Sequence, residues 1–293
     1  MVAAVVNGIT LEYEVLGEAG TPLLLVHGLG TQMVMWPDPF VEMFVERGFQ
    51  VIRYDNRDIG LSTKTEGPAP TRRQVVTSAF LPKRVRASYH LEDMADDAAQ
   101  LLDHLGIERS HVVGASMGGM IAQSLAIRHP AKVTTLTSIM SNTGDRTHGR
   151  IAPGLLRKLP KMMVDPEQTS VEHAIERGVA MHRLIGGPHF DEAGARQIFT
   201  IAANRHVDLA GTAHQTLAIA TSPDRTPALR KLDVPTLVIH GLLDRLVLPS
   251  GGIATAKAIP GSRLLAFPDM AHDLPVVRWP EIVDAIVANT QRA

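Results

Sequence analysis

Residues 111–128 read HVVGASMGGMIAQSLAIR, and this stretch decides the fold. His111-Val112-Val113 is a short β-type run, and Gly118 to Arg128 has helical character, closed by Pro130. Between them lies Gly114-Ala115-Ser116-Met117-Gly118, a G-x-S-x-G. The bare pattern arises by chance in about one chain of this length in ten at ordinary residue frequencies. Its setting is far more specific. A serine between an apolar strand and a helix sits on a tight, strained turn with its hydroxyl raised above a sheet. The flanking glycines leave room for strand and helix backbones to approach closely.

Working outward from this turn, the same alternation recurs. Upstream, Pro22-Leu23-Leu24-Leu25-Val26-His27-Gly28 is a continuous apolar run, and Phe49 to Asp55 is another. Such runs suit strands buried on both faces of a parallel sheet. Asn7-Gly8 between two β-type runs predicts a tight hairpin. Leu91, Met94, Ala95, Ala98, Leu101, Leu102 and Leu105 recur at helical spacing, with Gly106 as a stop. Downstream, Val133 to Met140, Val234 to His240 and Ser262 to Phe267 read as strands, and a helix runs from Glu281. Strands alternating with helices imply an α/β architecture built on a mostly parallel sheet. The alternation breaks between Ser141 and Arg225. That stretch is helical in tendency and is interrupted by Pro153, Pro160, Pro166, Gly186-Gly187-Pro188 and Pro223. The expected organisation is therefore a core domain of residues 1–141 and 226–293 with a helical cap inserted at 142–225.

The bulk composition excludes several function classes. The chain has 293 residues with 29 Lys plus Arg against 30 Asp plus Glu, for a net charge of −1. A phosphate-binding surface for nucleic acid calls for a basic excess, which this balance does not offer. There is no cysteine, which removes thiolate nucleophiles and disulfides. No apolar run reaches the roughly 20 residues that cross a bilayer. The first residues lack the basic n-region of a secretory signal, so a cytoplasmic location is expected. Six histidines fall in the insertion, but none shows metal-ligand spacing, and neither metal nor cofactor is expected. Whether the chain is a monomer or a homodimer stays open.

A serine hydroxyl needs a base, and the base needs an orienting acid. On this architecture the chain order is serine, acid, histidine. His240-Gly241-Leu242-Leu243-Asp244 puts Asp244 just past a buried strand, and Pro268-Asp269-Met270-Ala271-His272-Asp273 puts His272 just past the last one. Both fall at C-terminal strand ends, where open α/β sheets place their sites. Asp145 is a substitute acid, whereas Asp233 lies at the wrong edge and Asp269 and Asp273 are too local to orient the ring. Backbone N–H groups of Met117 and of Leu29, in the loop after the Leu23–Val26 strand, are the expected oxyanion donors. His27 is expected to be structural, as are Asp55, Arg57, Asp58 and Ser62 in the loop beside the site. Met33, Trp36, Met140 and Met181 are candidates for an adaptable apolar substrate pocket, with Met35, Met162 and Met163 as further possibilities.

The set HGLG, DNRDIGLS, GASMGG, HGLLDRLVLP and DMAH resembles the α/β-hydrolase fold family along nearly the whole chain. Within that family the chain resembles the carboxylesterase branch that contains aclacinomycin methylesterase. The resemblance implies an eight-stranded sheet with helices on both faces and a cap, a nucleophile at Ser116, an acid at Asp244, a base at His272, and oxyanion donors at Leu29 and Met117. It implies cleavage of small-molecule carboxylic esters of small to medium apolar character. Two departures stand out: Asp58 where many members have glycine in D-x-R-G-x-G-x-S, and Ala271 in place of a glycine before the histidine. Triad-retaining C–C bond hydrolases, lactonases and perhydrolases or haloperoxidases share the scaffold, and so do ligand-sensing proteins that act by binding. Epoxide hydrolases and haloalkane dehalogenases use aspartate where this chain has Ser116. A histidine base must start neutral, so turnover should rise with pH through about 6.5, the ordinary histidine value. A flat profile with chemistry limiting would contradict the assignment.

Overall fold

A computed structural model describes residues 2–158, 170–207 and 210–293. The strands are β1 (Val2–Val6), β2 (Ile9–Leu16), β3 (Thr21–Val26), β4 (Phe49–Tyr54), β5 (Ser110–Ala115), β6 (Val133–Ile139), β7 (Thr236–Gly241) and β8 (Arg263–Phe267). They form one sheet in the order β1-β2-β4-β3-β5-β6-β7-β8. β1 and β2 run antiparallel to their neighbours, and every pairing from β4 to β8 is parallel. The β1–β2 turn takes Asn7 and Gly8 through φ of 49° and 75°, which that dipeptide tolerates.

The helices are α1 (Asp38–Val45), α2 (Arg72–Phe80), α3 (Leu91–His104), α4 (Met117–Arg128), α5 (Pro153–Leu156), α6 (Val171–Ile185), α7 (Glu192–Arg205), α8 (Ala210–Thr221), α9 (Thr226–Leu229), α10 (Ser250–Ala258) and α11 (Trp279–Thr290). α3 and α4 cover one sheet face, packing Leu91, Leu102, Ile121 and Leu125 against Leu24, Ile52, Val112 and Leu136. α1 and α11 cover the other, where Phe40, Phe44, Ile282 and Ile286 meet Leu23, Leu25, Val113 and Ile239. Sheet residues alternate between the two cores as the period of two requires, which explains why these strands read as unbroken apolar runs. No helix among the described residues is long and apolar enough to cross a membrane.

Between β6 and β7 the described chain is helical and docks on the loops at the C-terminal strand ends. Gln32 Nε2 donates to the carbonyls of Ala202 (2.8 Å) and His206 (2.9 Å), and Arg205 Nη2 meets Asp55 Oδ2 at 2.9 Å. Pro160 and Pro166 lie outside the described residues.

Glycine is required where β5 turns into α4. A Cβ on Gly114 would overlap the Gly118 carbonyl, and one on Gly118 would overlap the Val26 carbonyl. Gly106 differs: its φ is 68° and no atom lies within 4 Å of an added Cβ. Gly114→Ala should therefore lower unfolding free energy by about 3 kcal/mol or more through overpacking. Gly106→Ala should cost only the left-handed penalty of about 1–2 kcal/mol. Urea midpoints of the two variants test that ordering.

Candidate active site

Ser116 occupies the turn itself, with φ 57° and ψ −119°. A non-glycine residue at positive φ costs of order 1–3 kcal/mol and persists only where its surroundings enforce it. Here the Ser116 N–H is fixed to the Ile139 carbonyl at 2.9 Å, and its own carbonyl accepts from the Gly119 N–H at 3.0 Å. The Oγ lies 3.0 Å from His272 Nε2. His272 Nδ1 lies 2.7 Å from Asp244 Oδ2. With Nδ1–H directed to the carboxylate, Nε2 is left to accept a proton from Ser116, a tautomer assigned from the hydrogen-bond network. The structure thus brings together three side chains that lie far apart in the sequence.

Asp244 is buried at the end of β7. Its Oδ1 accepts from the N–H groups of Leu246 (2.8 Å) and Val247 (2.9 Å). His240, which donates from Nε2 to the Val247 carbonyl at 2.8 Å, brings the same nitrogen to 3.4 Å from Asp244 Oδ2. Burial works to raise the Asp244 pKa, but His272, His240 and the Val247 amide outweigh it and hold it down to about 2. His240 was not singled out from sequence, although its position four residues before the acid in H-G-L-L-D was the available signal.

The loop after β3 passes beside the hydroxyl, since a Cβ on Gly28 would sit 3.4 Å from Ser116 Cβ and 3.9 Å from its Oγ. The N–H groups of Leu29, in that loop, and of Met117, at the start of α4, donate no hydrogen bond among the described residues. The positive end of the α4 dipole adds to the potential there. His272 is held from a second direction, because its N–H donates to the carbonyl of Ile185, the last residue of α6, at 3.1 Å.

The other polar residues have structural partners. His27 Nε2 accepts from the Asn56 N–H at 3.2 Å, and burial lowers the pKa of its ring. Asp55 accepts from the Met33 N–H at 2.7 Å and pairs with Arg205. Arg57 makes a two-pronged contact with Asp97 at 2.6 and 2.5 Å. Asp58 has φ 73°, a left-handed backbone that aspartate tolerates better than most residues and that suits the glycine of the D-x-R-G-x-G-x-S pattern. Asp145 is engaged by Thr147 and His148, Asp269 by His189 and Arg278, and Asp273 by the N–H groups of Ala271 and Gly187.

Of the pocket candidates, Trp36 is buried and stacked on Phe40 at 5.6 Å, within the core that also holds Met140. Met33 is fully buried, and Met181 is half-buried on α6. Met162 and Met163 lie outside the described residues. Among the described residues no group of three or more His, Cys, Asp or Glu is placed to hold a metal ion.

The sequence profile of the alpha/beta hydrolase fold matches residues 21–278. Rhodomycin D methylesterase DnrP of Streptomyces peucetius is 30% identical, the match covering 97% of this chain and 96% of that protein. The bifunctional esterase/perhydrolase DCH of Acinetobacter calcoaceticus is 26% identical over 92% of this chain and 91% of its own. Among solved structures, the enol-lactonase of Burkholderia xenovorans superposes with a TM-score of 0.73 at 25% identity, covering 99% of this chain and all (100%) of that one. The chain belongs to the α/β-hydrolase fold family, as the motifs had implied, and within it has esterase relatives.

The depressed pKa of Asp244 has a measurable sign. Its folded value of about 2 lies below its ordinary 3.8, so its contribution to stability is full above that ordinary value and is lost as pH falls toward 2. Wild type should therefore lose more unfolding free energy than Asp244→Asn over that interval. Equal losses in denaturant titrations at the two ends would contradict the depression.

Proposed function

We propose that the chain is a serine esterase hydrolysing carboxylic esters of small to medium apolar substrates through an acyl-enzyme on Ser116. The observation that carries this reading is the relay from Ser116 Oγ to His272 Nε2 at 3.0 Å and from His272 Nδ1 to Asp244 at 2.7 Å. His272 takes the Ser116 proton as the hydroxyl attacks the ester carbonyl. The resulting oxyanion accepts from the N–H groups of Leu29 and Met117, each donor lowering the barrier by roughly 3–4 kcal/mol. His272 then passes the proton to the departing alkoxide. Water, deprotonated by the same nitrogen, releases the acid and restores the serine. Asp244 stays ionised throughout, fixing the ring and stabilising the imidazolium.

Residues 142–225 act as a cap over a core of 1–141 and 226–293. The Ile185 carbonyl on the His272 N–H and the Arg205 contact with Asp55 support that role. On this reading Met33, Trp36, Met140 and Met181 line the substrate pocket; the first three are buried and Met181, on α6, is half-buried. Methylesterase and esterase/perhydrolase relatives support ester cleavage. The perhydrolase and enol-lactonase relatives favour a second reading, in which the same acyl-enzyme is formed from a lactone or passed to peroxide.

Labelling with a fluorophosphonate probe should mark wild type and spare Ser116→Ala, and the same substitution should cut p-nitrophenyl ester turnover by roughly 10⁴-fold or more. Equal labelling of the alanine variant would remove Ser116 as nucleophile. Lactone opening or peracid formation outpacing ester turnover would move the reading to the second reaction.

A further inference from the structure

The segment between the site loop and α3 has a surface that neither the fold nor the reaction uses. Residues 67–91 contain no acidic side chain, yet they carry Arg72, Arg73, Lys83, Arg84 and Arg86 in a chain of net charge −1. All five cations are exposed, and none is paired with a protein group among the described residues. Arg72 and Arg73 open α2, which starts with a capping box in which Thr71 and Gln74 satisfy each other's backbone N–H groups, and the other three cations follow the helix. An amphipathic helix ordinarily turns its polar face to water. α2 departs from this: Ser78 is buried, at 1% exposure, while Val76 (47%) and Phe80 (69%), one turn apart, are exposed along with Arg72 and Arg73, as is the adjoining Leu81 (48%).

We propose that this segment is a docking surface for an anionic lipid layer. Phe80, Leu81 and Val76 enter the acyl boundary, and the five cations lie against the headgroup phosphates. Exposed apolar side chains flanked along the chain by arginine and lysine are the chemistry that such an interface selects. A symmetric dimer through the same patch would set two sets of unpaired cations face to face, which argues against a second copy as the occupant. The position is also suited to the site. α2 packs on α8, and α8 abuts the oxyanion loop, where Gln215 accepts from the Gly30 N–H at 2.9 Å. A lipid surface held there lies one helix away from that loop.

Sedimentation of the full chain with phosphatidylcholine vesicles, with and without phosphatidylglycerol, tests the proposal. Wild type should partition onto the phosphatidylglycerol vesicles, and added salt should release it. Phe80→Glu/Leu81→Glu and Lys83→Glu/Arg84→Glu should each reduce partitioning by about tenfold or more. Both variants should keep the melting temperature and the turnover of a soluble ester. The proposal is overturned if wild type does not sediment, sediments equally with neutral vesicles, or is matched by both variants. A concentration-dependent dimer dispersed by the Phe80→Glu/Leu81→Glu change would likewise overturn it, in favour of a second copy.

Discussion

A serine held at positive φ between a strand end and a helix start is the constraint on which the rest of the molecule depends. The turn is too tight for side chains on its inner surface, so Gly114 and Gly118 must be glycine and the β3 backbone can come close. That approach sets the Gly28–Leu29 loop beside the hydroxyl. It also makes the start of α4, with its free N–H and positive dipole end, part of the same small volume. The cost of the strained serine is offset by hydrogen bonds to Ile139 and Gly119, both anchored in elements with full cores behind them. The large two-sided sheet is thus the support that a strained turn needs.

Most of that arrangement was legible in the sequence because it follows from short-range rules. Apolar runs of strand length, glycine stops and the order of serine, acid and histidine are local signals. Parallel strands then deliver their C-terminal ends to one rim without further instruction. The sheet order, with β4 lying between β2 and β3, is a long-range outcome that no local pattern states. α2 was missed for a specific reason: its outward Val76 and Phe80 and inward Ser78 invert the pattern by which a helix is recognised. Asp58 read as a departure from the family pattern. At φ 73° the backbone constraint is intact and only the residue meeting it has changed.

The pocket candidates were the least legible part, and burial explains why. Trp36 stacks on Phe40 and sits in the same core as Met140, so an apolar side chain there serves packing whether or not a ligand ever touches it. Composition cannot separate those two uses. His240 illustrates a different blind spot. In sequence it is a strand residue among apolar neighbours, and only the fold brings its Nε2 toward Asp244.

Asp244 and His272 show how the two parts of the chain meet. A carboxylate with no solvent around it would ordinarily take up a proton, since several kcal/mol oppose burying its charge. Two backbone amides and two imidazoles supply enough donors to keep it ionised, and the Nδ1–H of His272 is thereby committed to it. The imidazole is fixed at that end by the core. Its backbone is fixed by Ile185 at the end of α6, and the neighbouring Asp273 holds the N–H of Gly187 just beyond that helix. Displacing α6 would therefore loosen the ring that faces Ser116 through the backbone contact at Ile185. On the proposed reading, in which this helical segment caps the site, it is also one of the supports of the proposed base, so substrate access and proton transfer would share a single mechanical element.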